Sequence, residues 1–382
     1  MHGMKREILS RVWFLPVMVI LLLDMGMSAF GSDVSKLPAS YKSVEELYAA
    51  LAKLPEAQRQ EAIIAGARKE GKVVRYGAGE EKQFNALAKD FEQRYPGIKV
   101  EYLRSLPDEV VSKMLTEARA DRWYWDLGSI GGGYSELQKA NAIAKHHGLV
   151  TRGDYPKSFL GADWYGYEMM PLVIAYNKNM VKEAEAPKSY KELLDPKWKG
   201  KVSIDTGPDV LVACMIKAWG KEKAAEWLER FVNGNQALIR KGKTAQTQLL
   251  IAGEFPVASE IFAYRAELEI QSQGAPIDWV IPSDLAATET PGNGIARRAP
   301  HPFAALLFSQ YMNSKEGQGT YAQFGRIGSL PDVKLRFPRL GKFSSRPTVD
   351  HLTLVTVEDY KLFEQSNELI EKYIVPRIRG GS

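Results

Sequence analysis

Cysteine is almost absent from this chain of 382 residues, in which Cys214 is the only one. A lone cysteine excludes a disulfide within the chain, and no cysteine lies near the N-terminal leader, where a lipoprotein would be acylated. Histidine is also scarce, with five residues in all. His146 and His147 are adjacent, so their side chains point in different directions, and a solvated turn is a better interpretation of this pair than a metal site.

Catalytic and nucleotide-binding motifs are missing as well. The sequence contains no G-x-S-x-G, H-E-x-x-H or C-x-x-C motif. Gly77 and Gly79 follow a predicted strand, but Lys82 stands where a dinucleotide-binding motif needs its third glycine. The run 242–244 resembles the end of a phosphate-binding loop, but Ala237 stands in place of the first glycine. The sequence therefore predicts a protein that is not an enzyme and has no cofactor.

Basic residues form no cluster either. The formal net charge is +5, and Lys and Arg are spread along the chain, whereas nucleic-acid-binding proteins concentrate them in a patch. The sequence therefore predicts no nucleic-acid partner. Hydrophobic residues at 45% and charged residues at 25% are typical of a folded globular protein.

Long apolar runs are confined to the N-terminus. Basic residues precede the run Val12–Leu23, and small residues such as Ala29 follow it. This order predicts a secretory signal peptide over residues 1–31. The run is shorter than the roughly 20 apolar residues of a transmembrane helix, so an uncleaved anchor is the weaker alternative. We therefore expect a soluble protein in the bacterial periplasm.

Predicted strands and helices alternate along most of the chain, which is the pattern of a parallel α/β fold. An N-terminal helical segment, residues 32–71, precedes the first part of lobe 1 (72–172) and then lobe 2 (173–290). Residues 291–382 hold too few strands for a sheet of their own, so we expect them to return to lobe 1 with the C-terminal helices. Each lobe is expected to be a mixed, mostly parallel sheet flanked by helices.

Two crossings are predicted to join the lobes, one near Met170–Ala175 and the other near Pro282–Gly294. The aromatic run Asp163–Glu168 lies just before the first crossing. Its side chains either form the floor of a pocket or pack the lobe, and packing is slightly favoured.

Small and polar residues follow several predicted strands in both lobes. Ligands of parallel α/β sheets bind at these strand ends, where the N-termini of helices carry a partial positive charge. Thr206 and Thr244 are alternatively plain helix caps. Tyr264 and Arg265 either hold an anion in the cleft or pack on the lobe and face solvent. The candidate ligand-binding residues are Gly79, Glu80, Ser129, Gly131, Thr206, Gly207, Thr244, Glu260, Tyr264 and Arg265.

Several longer runs resemble one known family. The runs are Gly66–Val74, Val173–Lys178, Leu194–Val202, Ala252–Ala258 and Ala299–Pro302, followed by residues 308–318. Together they are similar to the extracellular solute-binding proteins of ABC importers, in the ferric-iron-type branch, over residues 60–335. The resemblance implies the type 2 periplasmic-binding fold, in which two hinged lobes close on a small-molecule or ion ligand. It also implies a monomer that docks on an ABC permease in the inner membrane.

The resemblance leaves the ligand open. Ferric-binding relatives carry adjacent tyrosines after a strand of the second lobe, and here the matching pair reads Ala263-Tyr264. The first loop has no histidine and reads Gly79-Glu80-Glu81. A small organic or inorganic anion is therefore expected alongside ferric iron, for which Tyr264 would be the one matching metal ligand. A ligand-binding sensor module and a secreted enzyme on the same fold are the alternative functions.

Overall fold

A computed structural model describes residues 41–343 and 352–379, so the predicted signal peptide lies outside the described residues. The strands are β1 Lys72–Gly77, β2 Lys99–Arg104, β3 Leu127–Ser129, β4 Glu168–Asn177, β5 Val202–Asp205, β6 Leu238–Arg240, β7 Val257–Phe262, β8 Ile277–Val280, β9 Ala286–Glu289, β10 Asn293–Ile295, β11 Ile327–Gly328 and β12 Leu352–Val355. The helices are α1 Val44–Ala52, α2 Glu56–Glu70, α3 Glu81–Arg94, α4 Pro107–Arg119, α5 Tyr134–Lys139, α6 Asp209–Trp219, α7 Lys221–Leu228, α8 Lys243–Ala252, α9 Ala263–Gln273, α10 Pro302–Met312, α11 Lys315–Ala322, α12 Tyr360–Tyr373 and α13 Val375–Arg379.

The first sheet has the strand order β10-β3-β1-β2. β1 pairs in parallel with β2 and β3, whereas β10 is antiparallel to β3. Val73 of β1, Phe91 of α3 and Phe308 of α10 lie in one buried core. The N-terminal helices also pack here, and the Tyr48 hydroxyl donates to the Pro302 carbonyl at 2.7 Å. This sheet and its helices form the first lobe.

The second sheet has the order β12-β9-β4-β7-β5-β6, with β8 and β11 also paired to β4. β4 is almost continuously apolar because both of its faces are buried, as in other sheets covered on two sides. Leu172 and Ile174 share one core with α6, and Val173 and Ala175 share another with α9. The expected architecture of mixed sheets flanked by helices is confirmed.

The chain passes between the two sheets at three places, which we call the crossings. In the first, residues 165–168, Tyr165 bridges to Asn293 of the first sheet and β4 then begins. In the second, residues 289–293, the chain leaves β9 and enters β10. The third, residues 322–327, leads from α11 to β11 and was not predicted. The second crossing lies within the predicted range 282–294, whereas the first lies just before the predicted range 170–175, which belongs to β4.

The C-terminal elements differ from the sequence-based expectation. β12 pairs in parallel with β9 of the second sheet, and Leu369, Ile370 and Ile374 lie in the core that contains α6. The expectation that residues 291–382 all complete lobe 1 is therefore wrong for residues 352–374. The physical reason is that β9 offers an unpaired edge to β12, which places the apolar side of α12 against α6. The expectation is also wrong for the segment from β11 to Phe343, since β11 pairs with β4 and Phe337, Leu340 and Phe343 lie in the core shared with α9. α10 and α11 do pack on the first lobe.

No helix within residues 41–343 and 352–379 combines the length and the apolar character needed to cross a membrane.

Candidate functional site

The carboxyl ends of the parallel strands lie next to the crossings. In the first sheet, β1 ends at Gly77 and β3 at Ser129; in the second, β5 ends at Asp205 and β7 at Phe262. Ligand sites of α/β sheets form beyond such strand ends. Charged and aromatic side chains extend through this region from the first lobe to the second.

Arg75 of β1 forms the first-lobe end of this region and is only 2% exposed. Its Nη2 donates to Asn293 Oδ1 at 2.9 Å. The centroids of the Phe84, Tyr102 and Tyr167 rings lie 5.2, 5.9 and 6.0 Å from its Cζ. Arg75 therefore contacts both the first and the second crossing.

Arg326 of the third crossing joins that crossing to the first. Its Nε donates to Glu168 Oε2 at 2.7 Å, and the two side chains are 10% and 7% exposed. The Arg326 guanidinium also covers the Tyr264 ring, with 4.2 Å between Cζ and the ring centroid. Tyr264 lies in the first turn of α9, so this contact extends the site into the second lobe.

Tyr167 and Tyr321 connect the two arginines. The Tyr167 hydroxyl donates to the Tyr321 hydroxyl at 3.0 Å, and the rings are perpendicular. Burial raises the pKa of both phenols, which keeps them protonated. We call the following six residues the crossing cluster: Arg75, Tyr167, Glu168, Tyr264, Tyr321 and Arg326.

A second group of charges surrounds Lys243 in the second lobe. Its Nζ lies 3.3 Å from Asp205 Oδ2 and 3.6 Å from Glu260 Oε2. Burial alone would lower the pKa of Lys243, but the carboxylates of Glu260, Asp205 and Asp209 together raise it. Lys243 therefore stays charged and neutralises part of this acidic group.

Glu260 and Glu289 carry perturbed carboxyl groups. Burial raises the pKa of Glu260 to about 7, although Lys243 opposes the shift. Burial, together with the nearby Asp209, also raises the pKa of Glu289 to about 7. Both pKa values therefore lie near neutral pH, and Glu289 begins the second crossing.

The first-lobe residues predicted from the sequence line the strand ends. The Gly79 carbonyl accepts from the Tyr102 hydroxyl at 3.1 Å, and Glu80 Oε2 accepts from Gln83 Nε2 at 3.2 Å. Ser129 pairs with Asn293 through the backbone. Gly131 is exposed at the start of the next helical turn.

The second-lobe residues predicted from the sequence fall near Lys243 and α9. Thr206 Oγ1 donates to Asp205 Oδ1 at 3.2 Å, and Gly207 is exposed beside it. Glu260 is fully buried and accepts from the Asp205 backbone N–H at 3.2 Å.

Thr244 and Arg265 are brought together, since Arg265 Nη2 donates to Thr244 Oγ1 at 3.5 Å. Arg265 Nη1 also lies 3.7 Å from Glu269 Oε1. Tyr264 is the one predicted residue that belongs to the crossing cluster.

Sequence reasoning missed the other five members of the crossing cluster as ligand-site candidates. Arg75 did carry a signal, because it is a charged residue on the same face of β1 as the apolar Val73. Tyr167 and Glu168 end the aromatic run that the sequence analysis singled out. Tyr321 and Arg326 carried no local signal, since only the third crossing brings them to the site.

The crossing cluster is not a metal centre built from histidine, cysteine or carboxylate ligands. Across residues 41–343 and 352–379, no group of three or more His, Cys, Asp or Glu side chains is arranged to hold a metal ion. An ion held here would need tyrosine oxygens, as the sequence analysis expected for Tyr264.

Comparison with protein families identifies a bacterial family. The profile of the bacterial extracellular solute-binding proteins matches residues 86–348, which is more than half of the chain.

Three similar proteins illustrate the match. Iron uptake protein A1 of Synechocystis is 29% identical over 175 residues, which cover 42% of this chain and 48% of that protein. The chain thus aligns with about half the length of this curated relative. A Trichodesmium protein solved with iron and citrate has a TM-score of 0.66 at 22% identity and covers 79% of this chain and 99% of its own. A Bordetella ferric binding protein has a TM-score of 0.64 at 25% identity, with coverages of 79% and 98%.

These similarities in structure give the fold. The expected type 2 periplasmic-binding architecture is confirmed, because the similar folds extend over nearly the full length of periplasmic binding proteins.

Proposed function

The chain belongs to the bacterial extracellular solute-binding proteins, and from this premise we propose that it captures a small solute between its lobes and delivers it to the permease of an ABC importer. The crossing cluster is the observation that carries this proposal. Its side chains come from the first lobe, from the first and third crossings, and from α9 of the second lobe. A solute bound there touches both lobes.

Contacts to both lobes explain how the solute is captured. An open and a closed form interconvert by hinge motion at the crossings, and the solute favours the closed form because only that form supplies contacts from both sides. A dissociation constant in the micromolar range, which corresponds to a binding free energy of about −8 kcal/mol, allows both capture and release. The residues proposed for capture are those of the crossing cluster together with the strand-end residues predicted from the sequence.

The protein acts in the periplasm in this proposal. Its predicted signal peptide supports export, and the family's name places its members outside the cytoplasm. The proposed partners are the solute and the inner-membrane permease, and the proposed exported form is a monomer without enzymatic activity.

Two classes of solute are supported by different observations. A small anion is supported by Arg75 of the crossing cluster, which pairs with no carboxylate among the described residues, since a guanidinium binds carboxylate and phosphate oxygens. Ferric iron is supported by the printed names of the relatives and by Tyr264, whose hydroxyl has no hydrogen-bond partner among the described residues. The anion is favoured, because the buried Arg75 guanidinium of the same cluster has no carboxylate partner among the described residues and disfavours a cation beside it.

A thermal-shift screen of the exported protein tests the proposal. The panel contains inorganic phosphate, organic acids, amines, sugars and ferric ion, each at about a hundred times the expected dissociation constant, where binding adds about 2.7 kcal/mol of stability. We expect one class to raise Tm and to reduce the radius of gyration measured by X-ray scattering. Turnover of a bound compound, or a bound state with unchanged dimensions, would contradict solute capture by lobe closure. A purple colour on addition of ferric ion would select iron over an anion.

A further inference from the structure

Arg75 is a buried cation without a carboxylate partner. Among the described residues no Asp or Glu forms an ion pair with it, its Nε has no hydrogen-bond acceptor, and the neutral Asn293 is its one side-chain acceptor. The other deeply buried cations of the region differ, since Arg326 pairs with Glu168 at 2.6 Å and Lys243 with Asp205 at 3.3 Å.

Burial of an unpaired charge is costly. Moving a charged group out of water costs several kcal/mol unless a counter-charge and hydrogen bonds compensate it. The rings of Phe84, Tyr102 and Tyr167 face the guanidinium at cation–π distance and offset part of this cost, about 1–2 kcal/mol per close contact at best. Among the described residues, the charge of the guanidinium is therefore only partly compensated.

Arg75 lies at the proposed solute site. Arg75 contacts Tyr167 of the first crossing and Asn293 of the second. Tyr167 in turn donates to Tyr321, which precedes the third crossing. Arg75 therefore lies where all the crossings meet the first lobe, at the base of the proposed cleft.

No other deeply buried cation among the described residues of this region is equally free for an anion. Arg326 and Lys243 are already paired with carboxylates, and Arg265 lies 3.7 Å from Glu269. Because the free Nε and the planar guanidinium suit an oxyanion, we propose that Arg75 is the anion anchor of the solute site and that the solute carries a carboxylate or phosphoryl group. This inference rests on the proposed function and names the class of solute and the residue that selects it.

The test compares the full exported chain with the variant Arg75→Met, which keeps a flexible apolar stem but lacks the guanidinium. The matched control is Arg122→Met, which removes the same charge from an exposed position. Tm is measured with inorganic phosphate, methylphosphonate, succinate and citrate at constant ionic strength set by sodium chloride, so the four compounds separate phosphoryl from carboxylate recognition. A neutral sugar and ferric ion complete the panel.

We expect at least one of the four anions to raise Tm of the wild type and of Arg122→Met. Arg75→Met should lose this shift, with a dissociation constant raised by about a hundredfold in titration calorimetry. Without anion, Arg75→Met should have the same Tm as the wild type or a higher one, because an unpaired buried charge has been removed. A purely structural arginine would give the opposite sign, a lower Tm without anion.

Different outcomes separate the inference from the proposed function. Anion binding that Arg75→Met retains, or binding of only the sugar or ferric ion by the wild type, would overturn the role of Arg75 and leave solute capture intact. No Tm shift with any compound class would overturn solute capture itself. If Arg75→Met does not fold, Arg75→Lys replaces it: the ammonium keeps the charge but lacks the planar fork, and unchanged anion affinity would again contradict the assignment.

Discussion

The guanidinium of Arg326 lies over the ring of Tyr264, with 4.2 Å between Cζ and the ring centroid. This contact joins the third crossing to the first turn of the helix that follows β7. Arg326 is held in place from the other side by Glu168, which begins β4. A helix of the second lobe is thus tied to two of the crossings through one arginine.

Removing Arg326 should destabilise the protein strongly. Arg326→Met leaves the 7% exposed Glu168 carboxylate without its partner, which costs about 3–5 kcal/mol of unfolding free energy for a buried pair. Urea unfolding measures this loss. The double variant Arg326→Met/Glu168→Leu removes both charges and should recover most of it, and a loss below about 1 kcal/mol in the single variant would contradict burial of the pair.

Tyr264→Phe isolates the hydroxyl of Tyr264. The phenyl ring keeps the contacts with Arg326 and with Phe262, so stability should stay within about 0.5 kcal/mol. Loss of one hydrogen bond to a charged solute should weaken binding by about tenfold in titration calorimetry. Tyr124→Phe, at a position that is 59% exposed, is the control, and equal affinities in both variants would remove Tyr264 from the site.

Lys243→Met should destabilise the protein more at pH 8 than at pH 5. The folded-state pKa of Glu260 is about 7, above its ordinary value of 4.5, so this group favours folding most below pH 4.5 and loses that contribution as the pH rises through 7. Without Lys243 the pKa of Glu260 rises further, which enlarges the loss at high pH. Thermal unfolding at both pH values checks the sign.

The control for this pH dependence is Lys241→Met, which removes an exposed lysine two residues away. Its difference in Tm from the wild type should be the same at pH 5 and pH 8. A Lys243→Met deficit that shrinks as the pH rises would show that Lys243 does not neutralise Glu260.

Two glycine substitutions should shift stability in opposite directions. A Cβ at Gly66 of α2 would lie 2.4 Å from Cγ of Phe303, so Gly66→Ala should cost about 1–3 kcal/mol by forcing α2 away from α10. A Cβ at Gly319 of α11 meets no atom within 4 Å, so Gly319→Ala should stabilise by about 0.5–1 kcal/mol. Urea unfolding of both variants checks the packing, and equal effects would contradict it.

The sequence was most informative where one element carried its own pattern. The uninterrupted apolar run of β4 predicts a strand buried on both faces, and the strand-to-helix turn at Tyr264 predicts a residue at the lobe edge. Such features depend on the burial of a few neighbouring residues, which periodicity reports directly.

Other features could not be predicted from local sequence patterns. Asn293 and Arg326 reach Arg75 and Glu168 only through the order in which the chain crosses between the sheets. The four-residue strand β12 is too short to stand out, so α12 was assigned to the wrong lobe. The alternation of β1 places Arg75 on the face of Val73, but a charged residue is ordinarily expected at the surface, which is why its buried position was not predicted.

The three crossings have a practical consequence for optical work. Because the chain passes between the sheets three times, α1 packs on the first sheet and α12 on the second. The two ends of the described chain therefore lie on different lobes. A donor dye near Tyr41 and an acceptor near Arg379 would therefore follow domain movement by energy transfer, without any label placed inside the binding region.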